Sequence, residues 1–427
     1  MPLPVIPPLR ATGPPAPAAT SIPLACWAVE VSWSAAARGV FVIDTSQLDD
    51  TAAMIGVSAF DDAFDGPYDN ITGYVDEIRV EHGRSDDLTL INEGSATVIL
   101  RDRNALFSPE NPLSPLYDSI DDRLHPIRIR ATLASVTTVQ FFGWVRRLTW
   151  QPRGRSGYAT LECVDLLYWL GRAKPVIAST GPSPITVGQA IGLVLDAIGF
   201  VDPAMRDLAD GDSIEDFSAD GTKTGLQIIQ ELLDVDRGTF YIASSGVATY
   251  ETRHARATAS TAGTLTNEMR AVGPGVDADR VRTRVTVTRT GGTPQTAEDT
   301  DASNRWGPSD GPSIDSPYLP SDEAALALAQ YIISQSKSPR SPLRSVDFDG
   351  RTAALLTQLL RRDFGDKITV SEAAGGTTGS FHLEQKKLAV KPRSGLVTGS
   401  WIVSRATANP VVIVDTTLLD SGAVVAY

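Results

Sequence analysis

Residues 71–117 read ITGYVDEIRVEHGRSDDLTLINEGSATVILRDRNALFSPENPLSPLY. Two strand-like segments, Gly73–Val80 and Ala96–Arg101, lie within it, and the Pro/Asn-rich piece Ser108–Tyr117 reads as a long loop between two strands. Upstream, Trp27, Val29, Val31 and Trp33 alternate with Ala28, Glu30 and Ser32, the period of a half-buried strand. Downstream, strand-like segments recur at Pro126–Leu133, Val139–Trp150 and Tyr158–Cys163. Short strands punctuated by turn residues predict an antiparallel barrel or sandwich.

Further from that stretch the character of the chain changes. Residues 1–24 are Pro/Ala-rich with almost no charge, which predicts an extended N-terminal arm. Residues 25–175 are expected to form a first β-barrel domain with an acidic insertion. Residues 176–260 predict a small α+β domain. Thr186 with Gln189 and Thr224 with Gln227 fit capping boxes ahead of two apolar stripes, Ile191/Val194/Leu195/Ile198 and Leu226/Ile229/Leu233. A hairpin follows, Thr239–Ala243 and Val247–Glu251 around a Ser-Ser-Gly turn. Residues 261–405 predict a second β-barrel domain with helices. There Val281, Thr283, Val285 and Val287 alternate with Arg280, Arg282, Arg284 and Thr286, and a helix from near Ser321 ends before Pro339. Residues 406–427 form an apolar C-terminal tail. The expected fold class is thus mainly β with α+β insertions: two small antiparallel β-barrels and an intervening α/β domain.

A chain of 427 residues exceeds what one hydrophobic core usually serves, so two to four domains are expected. No apolar run reaches the ~18 residues of a membrane helix. Prolines at positions 2, 4, 7, 8, 14, 15, 17 and 23 interrupt any secretory h-region. A soluble polypeptide made in the cytoplasm, with no stable membrane insertion, is expected. The formal charge is −13, and from Asp44 to Glu93 the bases are Arg79 and Arg84 alone. Such a surface repels phosphate, which argues against nucleic-acid binding. Cys26 and Cys163 are too few for a disulfide framework; two buried thiols or a single bridge stay open.

Candidate chemistry is sparse. His82, His125, His254 and His382 show no metal-ligand spacing, and no H-E-x-x-H, G-x-S-x-G or Walker loop occurs. Two fragments partly match an EF-hand. Asp61, Asp65 and Gly66 fail at Ala63 and Thr72, and Asp216, Ser218, Asp220 and Gly221 fail at Gln227. Arg280, Arg282 and Arg284 read as a solvated strand face or as an interface with acids of a neighbour. Trp144, Trp150, Tyr168 and Trp169 read as core or as an exposed aromatic cluster. No catalytic, cofactor or metal residue is assigned, so no enzymatic activity is expected.

The 71–117 stretch, with its strand–GR–EG–strand–D pattern leading into an Asn-Pro-rich loop, resembles the opening of minor tail proteins of actinobacterial siphophages, whose fold resembles the baseplate hub of contractile phages. "HPIRIRA" (125–131), "FFGWVRRLTWQP" (141–152) and "ATLECVDLLYWLGR" (159–172) fit that family's first barrel. "ASNRWGP" (302–308), "ALALAQYIISQSKSP" (325–339), "LLRRDFGDKITVSE" (359–372) and "SGLVTGSWIVSRA" (394–406) fit its second half. The resemblance spans roughly Trp27 to Ala406. It implies a structural tail-tip hub in the virion, assembled in the host cytoplasm: a homotrimeric ring of two barrels per subunit that closes the tail tube. It also implies a distal tail protein, the tape-measure C-terminus and a central spike or fibre as partners. Related hubs often carry a C-terminal peptidase or fibre extension, and none is legible before Tyr427. A peripheral receptor-binding tail protein and a cell-wall hydrolase are the alternative functions.

Overall fold

The computed structural model describes residues 24–33, 68–84, 92–114, 116–117, 124–153, 156–181, 183–266, 269–273, 281–311, 313–337, 343–373, 377–406, 411–412 and 424–425. The N-terminal arm before Leu24, most of the acidic insertion with Asp61, Ala63, Asp65 and Gly66, Arg280, and most of the C-terminal tail lie outside them.

The strands expected from alternation are present, most of them longer than their apolar cores. In the first half they are β1 (Cys26–Val31), β2 (Asp69–Asn70), β3 (Val75–Gly83), β4 (Asn92–Arg103), β5 (His125–Leu133), β6 (Val136–Arg153) and β7 (Ser156–Val164). Buried Val29, Val31, Ile78, Val80, Val98, Leu100, Ile127, Ile129 and Leu161 recur at every second position, as a strand with one face on a core requires. The middle of the chain supplies α1 (Val187–Ala197), α2 (Gly225–Asp236), the hairpin β8 (Thr239–Ile242) and β9 (Ala248–Glu251), and a short helix α3 (Arg253–Thr258). Both capping boxes form: Thr186 and Thr224 accept from the backbone N–H three residues on, and Gln189 and Gln227 return the bond.

The second half contributes β10 (Thr261–Thr266), β11 (Ala271–Gly273), β12 (Arg284–Arg289), β13 (Gln295–Glu298), β14 (Ile314–Ser316), α4 (Asp322–Ser336), β15 (Ser345–Asp349), α5 (Ala353–Arg361), β16 (Lys367–Glu372), β17 (Thr377–Lys391) and β18 (Leu396–Arg405). Ser321 caps α4 through the Ala324 N–H.

Two cores result. The first is shared by β1, β3–β7, β10, β15–β18 and α5, with Phe107, Phe141, Phe381 and Trp401 fully enclosed. Phe348 and Trp401 meet edge to face at 4.6 Å, an arrangement worth about 1 kcal/mol beyond the area it buries. The second core packs α1 and α2 against the β8–β9 hairpin and takes in Val285, Val287, Ala297, Ile314 and the apolar face of α4. The three-stranded sheet β13–β12–β14 therefore packs with the α+β elements.

The strand pairings form one large mixed sheet of thirteen strands instead of two separate closed barrels. The link is made by β3 and β17, which pair antiparallel from Ile78↔Val390 to Gly83↔Gln385. At the end of that seam the β17 register slips between Leu383 and Gln385, so Glu384 is a bulge residue. Gly83 sits opposite with φ +107°, and a Cβ there would lie 2.1 Å from the Glu384 carbonyl oxygen. Only glycine allows the two backbones to approach so closely.

Candidate functional site: a buried polar junction and a rigid proline loop

The bulge places Glu384 where three parts of the chain meet. Its side chain is buried, 1% exposed. Arg84, just past β3, donates from Nε to Oε2 at 2.7 Å, while the Arg256 guanidinium of α3 and the Ser404 hydroxyl of β18 both donate to Oε1. Burial alone would raise the carboxyl, but Arg256, Arg84 and Ser404 outweigh it and hold it down at about 2.

Two residues on, the Lys386 ammonium donates to the Arg362 carbonyl at 2.8 Å and to Gln140 Oε1 at 3.1 Å. The Gln140 amide in turn donates to the Leu360 carbonyl at 2.8 Å and to Thr138 Oγ1 at 2.7 Å. His82 Nε2 donates to the Gln140 carbonyl at 3.3 Å. Burial lowers Lys386 and His82 from their ordinary values. The Asp363 carboxylate accepts the Ser244 N–H and hydroxyl, both at 2.8 Å, tying the β8–β9 turn to the same place. Neighbouring Phe364 packs on Tyr241, ring centroids 4.7 Å apart. The Glu384 carboxylate and the Lys386 ammonium are sealed from solvent, so neither can exchange a proton with a substrate. What this arrangement can do is hold three segments in one geometry.

On the solvent side of the seam, β3, β4, β11, β15, β17 and β18 line a groove of about 760 Å³. Its rim charges balance: Arg79, Arg270 and Lys387 face Glu81, Asp347 and Asp349, with Lys387–Glu81 at 3.0 Å and Arg270–Asp349 at 3.8 Å. A groove with paired charges offers a polyanion no net attraction.

The Pro/Asn-rich loop is built as firmly as the strands beside it. Asp102, 1% exposed, accepts the Leu106 N–H at 2.7 Å and the Phe107 N–H at 3.4 Å, and Phe107 plugs the first core. This route holds Asn104 and Ala105 in the left-handed region, φ 65° and 54°, a strain that surrounding bonds must offset. The Asn111 amide supplies two of them, to the carbonyls of Asn104 (3.1 Å) and Ala105 (2.9 Å). Backbone bonds then recur every third residue: Ser108 to Ala105, Asn111 to Ser108, Ser114 to Asn111 and Tyr117 to Ser114. Pro109 and Pro112 occupy the second position of successive turns, where their fixed φ is favoured. The result is a stiff three-residue spiral that holds Leu113 91% exposed.

The residues singled out in the sequence scatter. The four histidines fall on four elements: His82 on β3, His125 opening β5 beside Trp33, His254 on α3 and His382 on β17, where burial pushes it down to about 4. Asp216 accepts the Ser179 hydroxyl, Asp220 accepts the Thr222 N–H and hydroxyl, and Gln227 serves the α2 capping box. Among the described residues, no three His, Cys, Asp or Glu side chains gather as a metal site would require. Arg284 pairs with Asp310 of its own chain through two bonds, and Arg282 donates to the Val281 carbonyl and Ser309. Trp144 is buried in the second core with Trp169 packed edge-on, and Trp150 packs against the first. Cys26 and Cys163 are free thiols, the first exposed and the second buried. Sequence reasoning missed Glu384, Lys386, Arg84, Arg256 and Asp363. An unusual signal was present, since Glu-Gln-Lys-Lys interrupts an otherwise apolar strand at 384–387.

Among the described residues no helix is long and apolar enough to cross a membrane. No family model matches this chain, and no curated protein matches it in sequence. Solved structures do match. A tail protein from Neisseria meningitidis MC58 superimposes with a TM-score of 0.56 at 10% identity, covering 88% of this chain and 96% of that one. A 43 kDa tail protein of prophage MuSo2 from Shewanella oneidensis gives 0.53 at 12% identity, covering 80% and 94%. This chain therefore has the fold of these two tail proteins. The likeness runs across nearly the whole length of both structures, at 10% and 12% sequence identity.

Proposed function

We propose that this protein is a structural, non-catalytic component of a phage-type tail, acting as the hub that closes the tail tube. The observation that carries the reading is the match along almost all of two tail proteins. The sheet topology adds support. From β3 through β4, β7, β6, β5 and β1 to β2, every pairing is antiparallel, so β2 and β3 run in the same direction. They are also consecutive in the chain, so one bent segment, 69–83, bonds both ends of that path. In the second half β10 and β11 do the same, pairing with β16 and β15 respectively. This arrangement supports reading each half as a small barrel, with the β3–β17 seam joining the two halves in one sheet.

Two similar barrels per subunit suit a threefold ring that presents six barrel positions to a tube, with a distal tail protein, the tape-measure C-terminus and a central spike or fibre as neighbours in the virion. Heterologous ring closure is the ordinary route to such an assembly. The five-part division of the chain at 24, 175, 260 and 405 and the actinobacterial siphophage affiliation belong to the same proposal. Native mass spectrometry and sedimentation velocity of the full chain test it. Three copies per particle are expected, and a protein that stays monomeric at every concentration refutes the ring.

A further inference from the structure

We propose that the Ser108–Ser114 spiral is a docking knob for a second copy of this chain, seating Leu113 and Glu110 on the partner's Trp306 and Arg305. The inference rests on the self-assembly in the proposed function and names one of its contacts.

The knob is ordered before it binds. The Asp102, Asn111 and Ser114 bonds fix its path, so docking would forfeit little conformational freedom. It carries a large apolar side chain outward, Leu113 at 91% exposure, and a single charge, since Glu110 is the only ionisable residue from Asn104 to Leu116. Glu110 and Leu113 stand three residues apart on a three-residue spiral, so they project on the same side.

The complementary pair stands at the end of the helix Thr300–Trp306. Trp306 is 42% exposed, and the Arg305 guanidinium lies over its ring at 4.9 Å. That helix is fixed at its start, where Asp299 accepts the Ala302 N–H at 2.8 Å and the Lys337 ammonium at 3.1 Å. Among the described residues Arg305 forms no ion pair with a carboxylate, which leaves its charge open to an anionic group of a neighbour. An apolar face beside a cation matches an apolar tip beside an anion. The knob grows from the first core through Phe107, and the pad follows β13, which packs in the second through Ala297. Two different patches meeting between copies make a head-to-tail contact, the type that closes rings.

The test is sedimentation of the full chain across a concentration series, for wild type, Glu110→Arg, Leu113→Ser, Arg305→Glu and the Glu110→Arg/Arg305→Glu pair. These side chains lie on the surface, and circular dichroism confirms that each variant folds. Each single change should weaken self-association by about tenfold or more, and the double reversal should restore most of it. Wild-type assembly that none of the single changes weakens overturns the knob while leaving the ring intact. A double reversal no better than the singles overturns the pairing of Glu110 with Arg305. A wild-type chain that stays monomeric overturns both the knob and the ring.

Discussion

Replacing Glu384 with glutamine leaves the shape of the junction unchanged and removes the one negative charge that Arg84 and Arg256 share. Those arginine side chains are only 12% and 15% exposed, so water cannot take over from the lost carboxylate. Two independent estimates agree on the size of the effect. A carboxyl whose value moves from 4.5 to about 2 on folding contributes about 3 kcal/mol of stability above pH 5. Removing one partner from a buried ion pair costs about 3–5 kcal/mol. Glu384→Gln should therefore lose about 3 kcal/mol at pH 7, read as a lower urea midpoint by tryptophan fluorescence. The sign with pH is also set. Because the folded value is depressed, this contribution is present above pH 4.5 and disappears as pH falls towards 2, so the variant should show a shallower acid limb than wild type. A variant within about 1 kcal/mol of wild type at pH 7 would mean that the junction does not hold the halves together as described.

Asp102→Ala should free the Leu106 and Phe107 amides, costing about 1–3 kcal/mol and raising hydrogen exchange in residues 104–117 while the rest of the first core stays protected. Asp165 is fully buried and pushed up to about 8, against the opposing N–H bonds of Gly94 and Leu167. Its folded value is raised, so its contribution is present below pH 4 and lost as pH climbs towards 8. Asp165→Asn should flatten that decline, by on the order of 2 kcal/mol, in unfolding midpoints measured from pH 5 to 8. At Gly143 an added Cβ would lie 2.1 Å from the Val164 carbonyl oxygen, so Gly143→Ala should force β6 from β7 and cost about 2–3 kcal/mol, visible as a lower Tm; an unchanged Tm would refute that packing.

Local features of the fold were legible in the chain because their physics is local. Thr186 with Gln189 and Thr224 with Gln227 announce helix starts, since each capping bond spans three residues. Alternation at Val29/Val31 and Ile78/Val80 announces strands because successive side chains point to opposite faces. The Ser108–Tyr117 loop was legible as a loop, yet its stiffness was not, because that depends on Asp102 and Asn111 bonding backwards across the turn. The short helix carrying Arg256 left no apolar stripe to read, and β12 begins only at Arg284 because Val281–Thr283 enter it in irregular backbone.

What the amino-acid sequence determined by itself is the mainly β character, the two well-capped helices of the middle segment, and the net acidic charge. Each follows from residue type and spacing within a few turns of chain. Only the tertiary structure decided that the two β halves join through β3 and β17, and that residues 281–336 pack with the α+β elements. It also decided that the polar run at 384–387 is a buried clasp. Arg84 and Glu384 lie 300 positions apart, and nothing in either neighbourhood specifies the other. Their pairing follows from a bulge opposite a glycine, a geometry that exists only once both strands are in place.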